Sequence, residues 1–320
     1  MWQRIKRNVR KNKMNKFIII LCLCLISLFG AAIESAALET VSTIKSLGLR
    51  ISSVEPIEIR LVRARAANTL LGIYHHLNRA GTFRRPMLGG GYEPPVIPGE
   101  HWDVVRAGTN FILIPIINCS IVNALNDIRT AFEGAIRIEC LNASVIARIA
   151  LGDCVLAPDR KNYRNSSKYF SDQAVPEQEL NSARLGVLSG LFFKPSEHGH
   201  DKLIETGDFV YLFGHPNYKN IGHGPYDGEN VYMVGYGVDN LQRYFGFGEI
   251  FKTVPKTAEQ IQWNLAVMYV EELVKRTASL DEVFEIEMAF EKIKAIKSVH
   301  WCFDIDQVME IQPKKASEEH

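Results

Sequence analysis

The residues best suited to covalent chemistry in this chain are a thiol and two carboxylates. In "GAIRIECLNASVIARIAL", residues 134–151, Glu139 stands directly before Cys140, and a run of almost wholly apolar residues follows. A cysteine in the first turn of a buried helix meets unpaired backbone amides and the positive end of the helix dipole, which lowers a thiol pKa and favours the nucleophilic thiolate. Such a nucleophile needs an acid or base partner carried by a different element. "HGPYDGENVYMVG" offers Glu229 at the start of an apolar strand. Free glutamate and free cysteine differ by about 4 pKa units, so unperturbed groups would exchange the proton at a cost of ~5.5 kcal/mol. Burial of Glu229 and the helix end under Cys140 are both expected to narrow that gap. Each residue also has a plain structural reading: cysteine is a small buried hydrophobe, and a charge beside a strand start is usually solvated.

Weaker marks surround these. His215 and His223 lie in the loop before the Glu229 strand and read as exposed loop histidines. "EHGHD" at 197–201 has two histidines but no further ligand at metal spacing, so a solvated loop is expected and no metal is assigned. The glycines at 89–91 lack the flanking strand and helix of a phosphate loop. Cys119, Cys154 and Cys302 read as core cysteines. On one continuous helix Cys140 and Cys154 would stand about 21 Å apart at ~1.5 Å per residue, too far for a disulfide.

The elements that must position the thiol and carboxylates follow from the pattern of the chain. "PIEIRLVRARAANTLLGIYHHLNR", residues 56–79, is rich in helix formers and stops before Gly81. "RRPMLGGGYEPPVIPGEHW" is a Gly- and Pro-rich loop, "TNFILIPI" a buried strand, and "SIVNALNDIRTAFEG" a helix from Ser120 to Gly134. Residues 142–151 form a core helix. "GDFVYLFG", "ENVYMVG" and "QRYFGFGEIF" predict an antiparallel sheet. Two C-terminal helices follow, with capping-box spacing at Thr257/Gln260 and Ser279/Glu282, and with Val283, Ile286, Phe290 and Ile293 on one face. The fold class is α+β.

The first 33 residues stand apart from this globule. "MWQRIKRNVRKNKMNK" has seven basic and no acidic residues, and a 14-residue apolar run follows it, ending in small residues. That layout predicts a signal peptide cut after Ala32, or, uncleaved, a membrane anchor over residues 17–33. Met14 offers a second start. The expected organisation is a leader over 1–33, one domain over 34–300 and a tail over 301–320. An exported protein, secreted or held in the cell envelope, follows. Without the leader the formal charge of +1 falls to about −6, and no basic block indicates nucleic acid. Proteins or small molecules are the expected partners.

The runs "DIRTAFEGAIRIECLNASVIARIAL", "TGDFVYLFGHPNY" and "DGENVYMVG", with "IEIRLVRARAANTLLGIYHHLNRAG" and "GTNFILIPI" upstream, resemble the bacterial spore-coat protein-glutamine gamma-glutamyltransferases over roughly residues 56–265. The resemblance implies a papain-like or NlpC/P60-like core, with the catalytic helix packed on a small antiparallel sheet and flanked by further helices. It places Cys140 at the nucleophile, Glu229 at the partner carboxylate and Glu139 at a supporting carboxylate that handles a second proton. It implies isopeptide cross-linking of protein glutamine and lysine side chains through a thioester, with no cofactor. The family carries a histidine in the next strand, where "RYFGFGEI" has Phe245; that departure implies altered or impaired chemistry. A papain-like amidase or peptidase and a non-catalytic binding protein are the alternative readings.

Overall fold

The computed structural model describes residues 44, 46–52, 54–84, 93–107, 110–116, 121–156, 193–195, 203–218, 228–252, 254–275 and 282–305. The expected leader, the glycines at 89–91, Cys119, the 197–201 motif, His223 and Ser279 lie outside those residues. The architecture is mixed α and β, as the sequence pattern requires. Among the described residues no helix is long and apolar enough to cross a membrane.

The first long helix, α1 (Ile57–Ala80), buries Leu70, Tyr74 and Leu77 completely. It ends where Gly81 turns to an extended conformation, and only glycine fits there: a Cβ would lie 2.4 Å from the Leu77 carbonyl oxygen and 2.7 Å from the Phe247 ring. Strand β1 (Gly81–Phe83) follows at once. Strands β2 (Trp102–Ala107) and β3 (Asn110–Pro115) form an antiparallel hairpin, then come α2 (Ile121–Thr130), β4 (Ile136–Ile138) and α3 (Cys140–Leu156). Helix α2 stops four residues short of the expected Gly134, which instead takes a positive φ of 75° in the turn leading to β4. β4 pairs with β1 in parallel.

The main sheet has the order β5 (Phe193–Pro195), β9 (Val299–Phe303), β6 (Phe209–Phe213), β7 (Gly228–Tyr236), β8 (Gln242–Gly246), and each adjacent pair is antiparallel. The three central-to-edge strands β6, β7 and β8 are those expected from their aromatic and β-branched runs. Val299–Phe303 forms a fourth strand inside the sheet, so residues 301–303, assigned to a tail by the sequence reading, are integral to the fold.

Side-chain alternation assigns the two faces of this sheet. Tyr232 and Phe245 are register partners, and both meet Tyr74 of α1, at 6.1 and 5.9 Å between ring centroids. The Tyr232 hydroxyl donates to the Ser144 carbonyl of α3 at 3.1 Å and accepts from Arg148 Nε at 3.2 Å. Helices α1 and α3 therefore share this face. Val210, Leu212, Val231 and Met233, of opposite parity, are also buried, so the sheet is covered on both sides. Helix α4 (Ala258–Val274) reaches β6 and β8, and its N-terminus carries the complete Thr257/Gln260 capping box. Helix α5 (Glu282–Lys294) packs on α4, with Phe290 against Trp263 and Ile293 buried. Val283 is exposed, since the stripe sinks into the protein only beyond the first turn.

Candidate active site

Cys140 is the first residue of α3 and Glu139 the residue that caps it. Glu139 Oε1 accepts the Asn142 backbone N–H at 3.1 Å, which satisfies one of the unpaired donors of the first turn. The Asn142 side-chain amide donates to both carboxylate oxygens, at 2.8 and 3.0 Å, while its own carbonyl oxygen accepts from Leu113 N of β3 at 2.7 Å. Arg84 completes the arrangement with a buried ion pair to Glu139 Oε2. The parallel β1/β4 pair brings this about: Arg84 follows β1, donates its backbone N–H to the Ile138 carbonyl, and so arrives beside Glu139. The carboxylate next to the thiol is therefore the anchor of the helix start. Its oxygens are engaged by Arg84 and Asn142.

Removing one partner of a buried ion pair strands the other. Arg84→Met is accordingly expected to cost about 3–5 kcal/mol, read as a lower urea midpoint, and the double variant with Glu139→Gln should recover part of the loss. A shift corresponding to less than about 1 kcal/mol for the single variant would contradict this anchoring.

The sulfur of Cys140 meets β7. Asn230 Nδ2 donates to Cys140 Sγ at 3.1 Å across 90 residues of sequence. Glu229 is the adjacent residue, paired in register with Leu212, and its charge acts on both Cys140 and Tyr74. No hydrogen bond joins Glu229 to the thiol. The carboxyl is nonetheless close enough to act on it electrostatically. The strand can pass so tightly here because residue 228 is glycine: a Cβ there would lie 2.3 Å from the Leu212 carbonyl oxygen and 2.7 Å from the Tyr211 ring.

Burial dominates the electrostatics of this cluster. Glu229 is 3% exposed and its Oε2 has no hydrogen-bond partner; burial raises its pKa to about 8, as expected from the sequence. Burial, followed by the neighbouring Glu229 charge, raises the Cys140 pKa to about 12, against a smaller opposing effect from the Asn230 hydrogen bond. This reverses the sign expected for a thiol at a helix N-terminus. Cys140 feels Glu229, whereas the rise of Glu229 comes from burial alone, because the carboxyl ionises first, opposite a thiol that is still neutral. The gap between the two groups stays near 4 pKa units, as in the free residues. At neutral pH the pair is a thiol and a carboxylic acid.

Tyr74, Tyr232 and Arg148 complete the surroundings. Tyr74 is fully buried, its hydroxyl has no hydrogen-bond partner, and its pKa is raised by burial and by the nearby Tyr232, Cys140 and Glu229. Arg148, two turns along α3 from Cys140, lies over the Phe209 ring at 4.4 Å. Asn230, Tyr74 and Arg84 were not singled out from the sequence. Asn230 stood beside Glu229 in the same motif.

The histidine positions differ from expectation. His215 is buried, not exposed: it stacks on Tyr269 at 3.7 Å, its Nδ1 accepts the Asn217 N–H, and burial with nearby Lys292 lowers its pKa to about 4. Phe245 is buried edge-on against both Tyr74 and Phe251. Comparison with known protein families, with characterised proteins and with solved structures finds no match.

Proposed function

We propose that this protein is a cysteine acyltransferase of the protein-glutamine gamma-glutamyltransferase type, built on a papain-like core. The observation that carries the reading is the meeting of Cys140, at the first turn of α3, with the Asn230 amide of β7 beside a buried, unpartnered carboxyl at Glu229. Orphaned buried polar atoms are uncommon in folded proteins, and a catalytic role is one of the reasons they are kept. Two of them, Glu229 Oε2 and the Tyr74 hydroxyl, stand within electrostatic reach of the thiol.

In this reading the Cys140 sulfur attacks the side-chain carboxamide carbon of a protein glutamine. The C–N bond breaks, ammonia leaves with the thiol proton, and a thioester remains. A lysine amine then attacks the thioester carbon, the C–S bond breaks, and the sulfur regains a proton as the isopeptide forms. Asn230 stabilises negative charge on sulfur by donating to it. Glu229, protonated at neutral pH, is a proton donor for the departing ammonia and becomes a carboxylate able to take the thiol proton. Glu139 fixes the helix start and thus the position of the sulfur. Protein substrates supply both side chains, and no cofactor takes part.

The raised Cys140 pKa and the aromatic burial of Phe245 favour a second reading, a non-catalytic binding protein on the same scaffold. One assay separates the readings. The full chain, incubated with a glutamine-containing protein and a labelled primary amine, should attach the amine and release ammonia in equal amounts. Cys140→Ala should lower both by at least about 1000-fold. Ammonia without attached amine would indicate a hydrolase, and neither product would indicate the binding protein.

A further inference from the structure

On the opposite side of the sheet from Cys140, three buried side chains of metal-ligand type converge. Asp208, immediately before β6, and His300 and Cys302 of β9 have donor atoms that all lie within 4.8 Å of one another. We propose that they form a binding site for a zinc-class divalent cation, which braces β9 against β6.

His300 and Cys302 are two residues apart on one strand, so their backbones stand about 6.6 Å apart while both side chains project from the same face. Their ligand atoms nevertheless approach to 3.4 Å, Cys302 Sγ to His300 Nε2. In a tetrahedral site with Zn–S near 2.3 Å and Zn–N near 2.05 Å, the sulfur and nitrogen stand about 3.5 Å apart. The pair is thus already at ligand-to-ligand spacing. Asp208 is held rigidly, with Oδ1 accepting Phe303 N at 2.8 Å and Oδ2 accepting Glu205 N at 2.9 Å. Because one backbone contact comes from β9 itself, the carboxylate is fixed relative to the other two donors.

Charge balance selects the ion. A thiolate, a carboxylate and a neutral imidazole around a divalent cation sum to zero, the condition under which a charged group is tolerated at such depth. The mixed sulfur, nitrogen and oxygen set suits zinc or cobalt, and disfavours calcium and magnesium, which take oxygen ligands. Binding displaces the Cys302 thiol proton to solvent and forms the metal–sulfur bond. Three protein donors leave a fourth position for water or a small ligand.

The test uses the full chain, stripped with chelator under reducing conditions and titrated with Co(II). One equivalent should bind and give thiolate-to-cobalt charge-transfer absorption in the near ultraviolet together with visible bands of tetrahedral intensity. Zinc should displace it. The absorption should persist in Cys140→Ser and vanish in Cys302→Ser, and His300→Gln should weaken binding by more than about tenfold. No saturable binding, or a charge-transfer band lost with Cys140 instead of Cys302, would overturn the proposal. The band identifies a thiolate ligand in the unaltered protein, so the result stands even where a variant fails to fold. Neither outcome bears on the acyl-transfer reading, whose residues are Cys140, Asn230, Glu229 and Glu139.

Discussion

Replacing Glu229 with glutamine is expected to stabilise the folded protein by about 5 kcal/mol at pH 8 and above, while hardly changing it near pH 4. In the unfolded chain this carboxyl ionises near 4.5; in the folded protein it holds its proton until about pH 8. Between those values the folded state binds more protons than the unfolded state, so stability falls as pH rises, by ~1.4 kcal/mol per pH unit, and the loss levels off once the folded group has ionised. Glutamine has the same shape and never ionises, so its stability lacks this slope. At pH 7 the difference should be roughly 3 kcal/mol. Urea midpoints of the two proteins at pH 4.5, 6, 7 and 8 give the measurement; parallel curves would show that Glu229 is not a buried acid. The same substitution removes the proposed proton donor. It should therefore gain stability and lose acyl transfer together, the exchange expected of a strained functional group.

The parts of the fold legible in sequence were those with long, regular patterns. Helix α1 and the strands β6, β7 and β8 follow from helix formers ending at Gly81 and from aromatic and β-branched runs between turns. The short pieces were not legible. β1, β4 and β5 have three residues each, too few for alternation to register, and the parallel pairing of β1 with β4 exists only through the chain between them. Yet that pairing delivers Arg84 to Glu139 and so sets the start of α3. The end of β9, residues 301–303, reads as tail because the strand is only five residues long, too short for its alternation to register beside the preceding helix.

The site divides in the same way. That Cys140 begins a helix is a local property, and it was readable. That Asn230, the neighbour of Glu229, takes the place against sulfur depends on the register of β7 beneath α3, which no local pattern carries. The thiol pKa was misjudged in sign for a related reason. A helix end is visible in sequence, whereas burial is a sum over every element packed around the sulfur, and here that sum is larger.

Cys140 in the free protein is expected to react with iodoacetamide at pH 7 more slowly than a thiol in an unfolded peptide, by up to about 50-fold. A pKa near 12 instead of 9.0, reached with Glu229 ionised, lowers the thiolate fraction about 1000-fold; at pH 7, where Glu229 is uncharged and burial is the main cause left, the reduction is smaller. The more basic thiolate recovers part of this, because nucleophilicity rises with pKa at a Brønsted slope near 0.45, a factor of roughly 20 over that interval. The pH profile then distinguishes the contributions. Below pH 8 Glu229 is uncharged, so wild type and Glu229→Gln should label at equal rates. Above pH 8 the carboxylate opposes the thiolate, and the glutamine variant should become the faster of the two. Asn230→Ala, which removes the donor to sulfur, should be slower than wild type throughout. Peptide mapping by mass spectrometry assigns the label to Cys140 and keeps it apart from buried Cys302. Rapid labelling of the free protein at neutral pH would mean that the thiol is already ionised. Slow labelling instead means that attack on a glutamine amide must be coupled to loss of the thiol proton, which is why the carboxyl beside it matters to the proposed reaction.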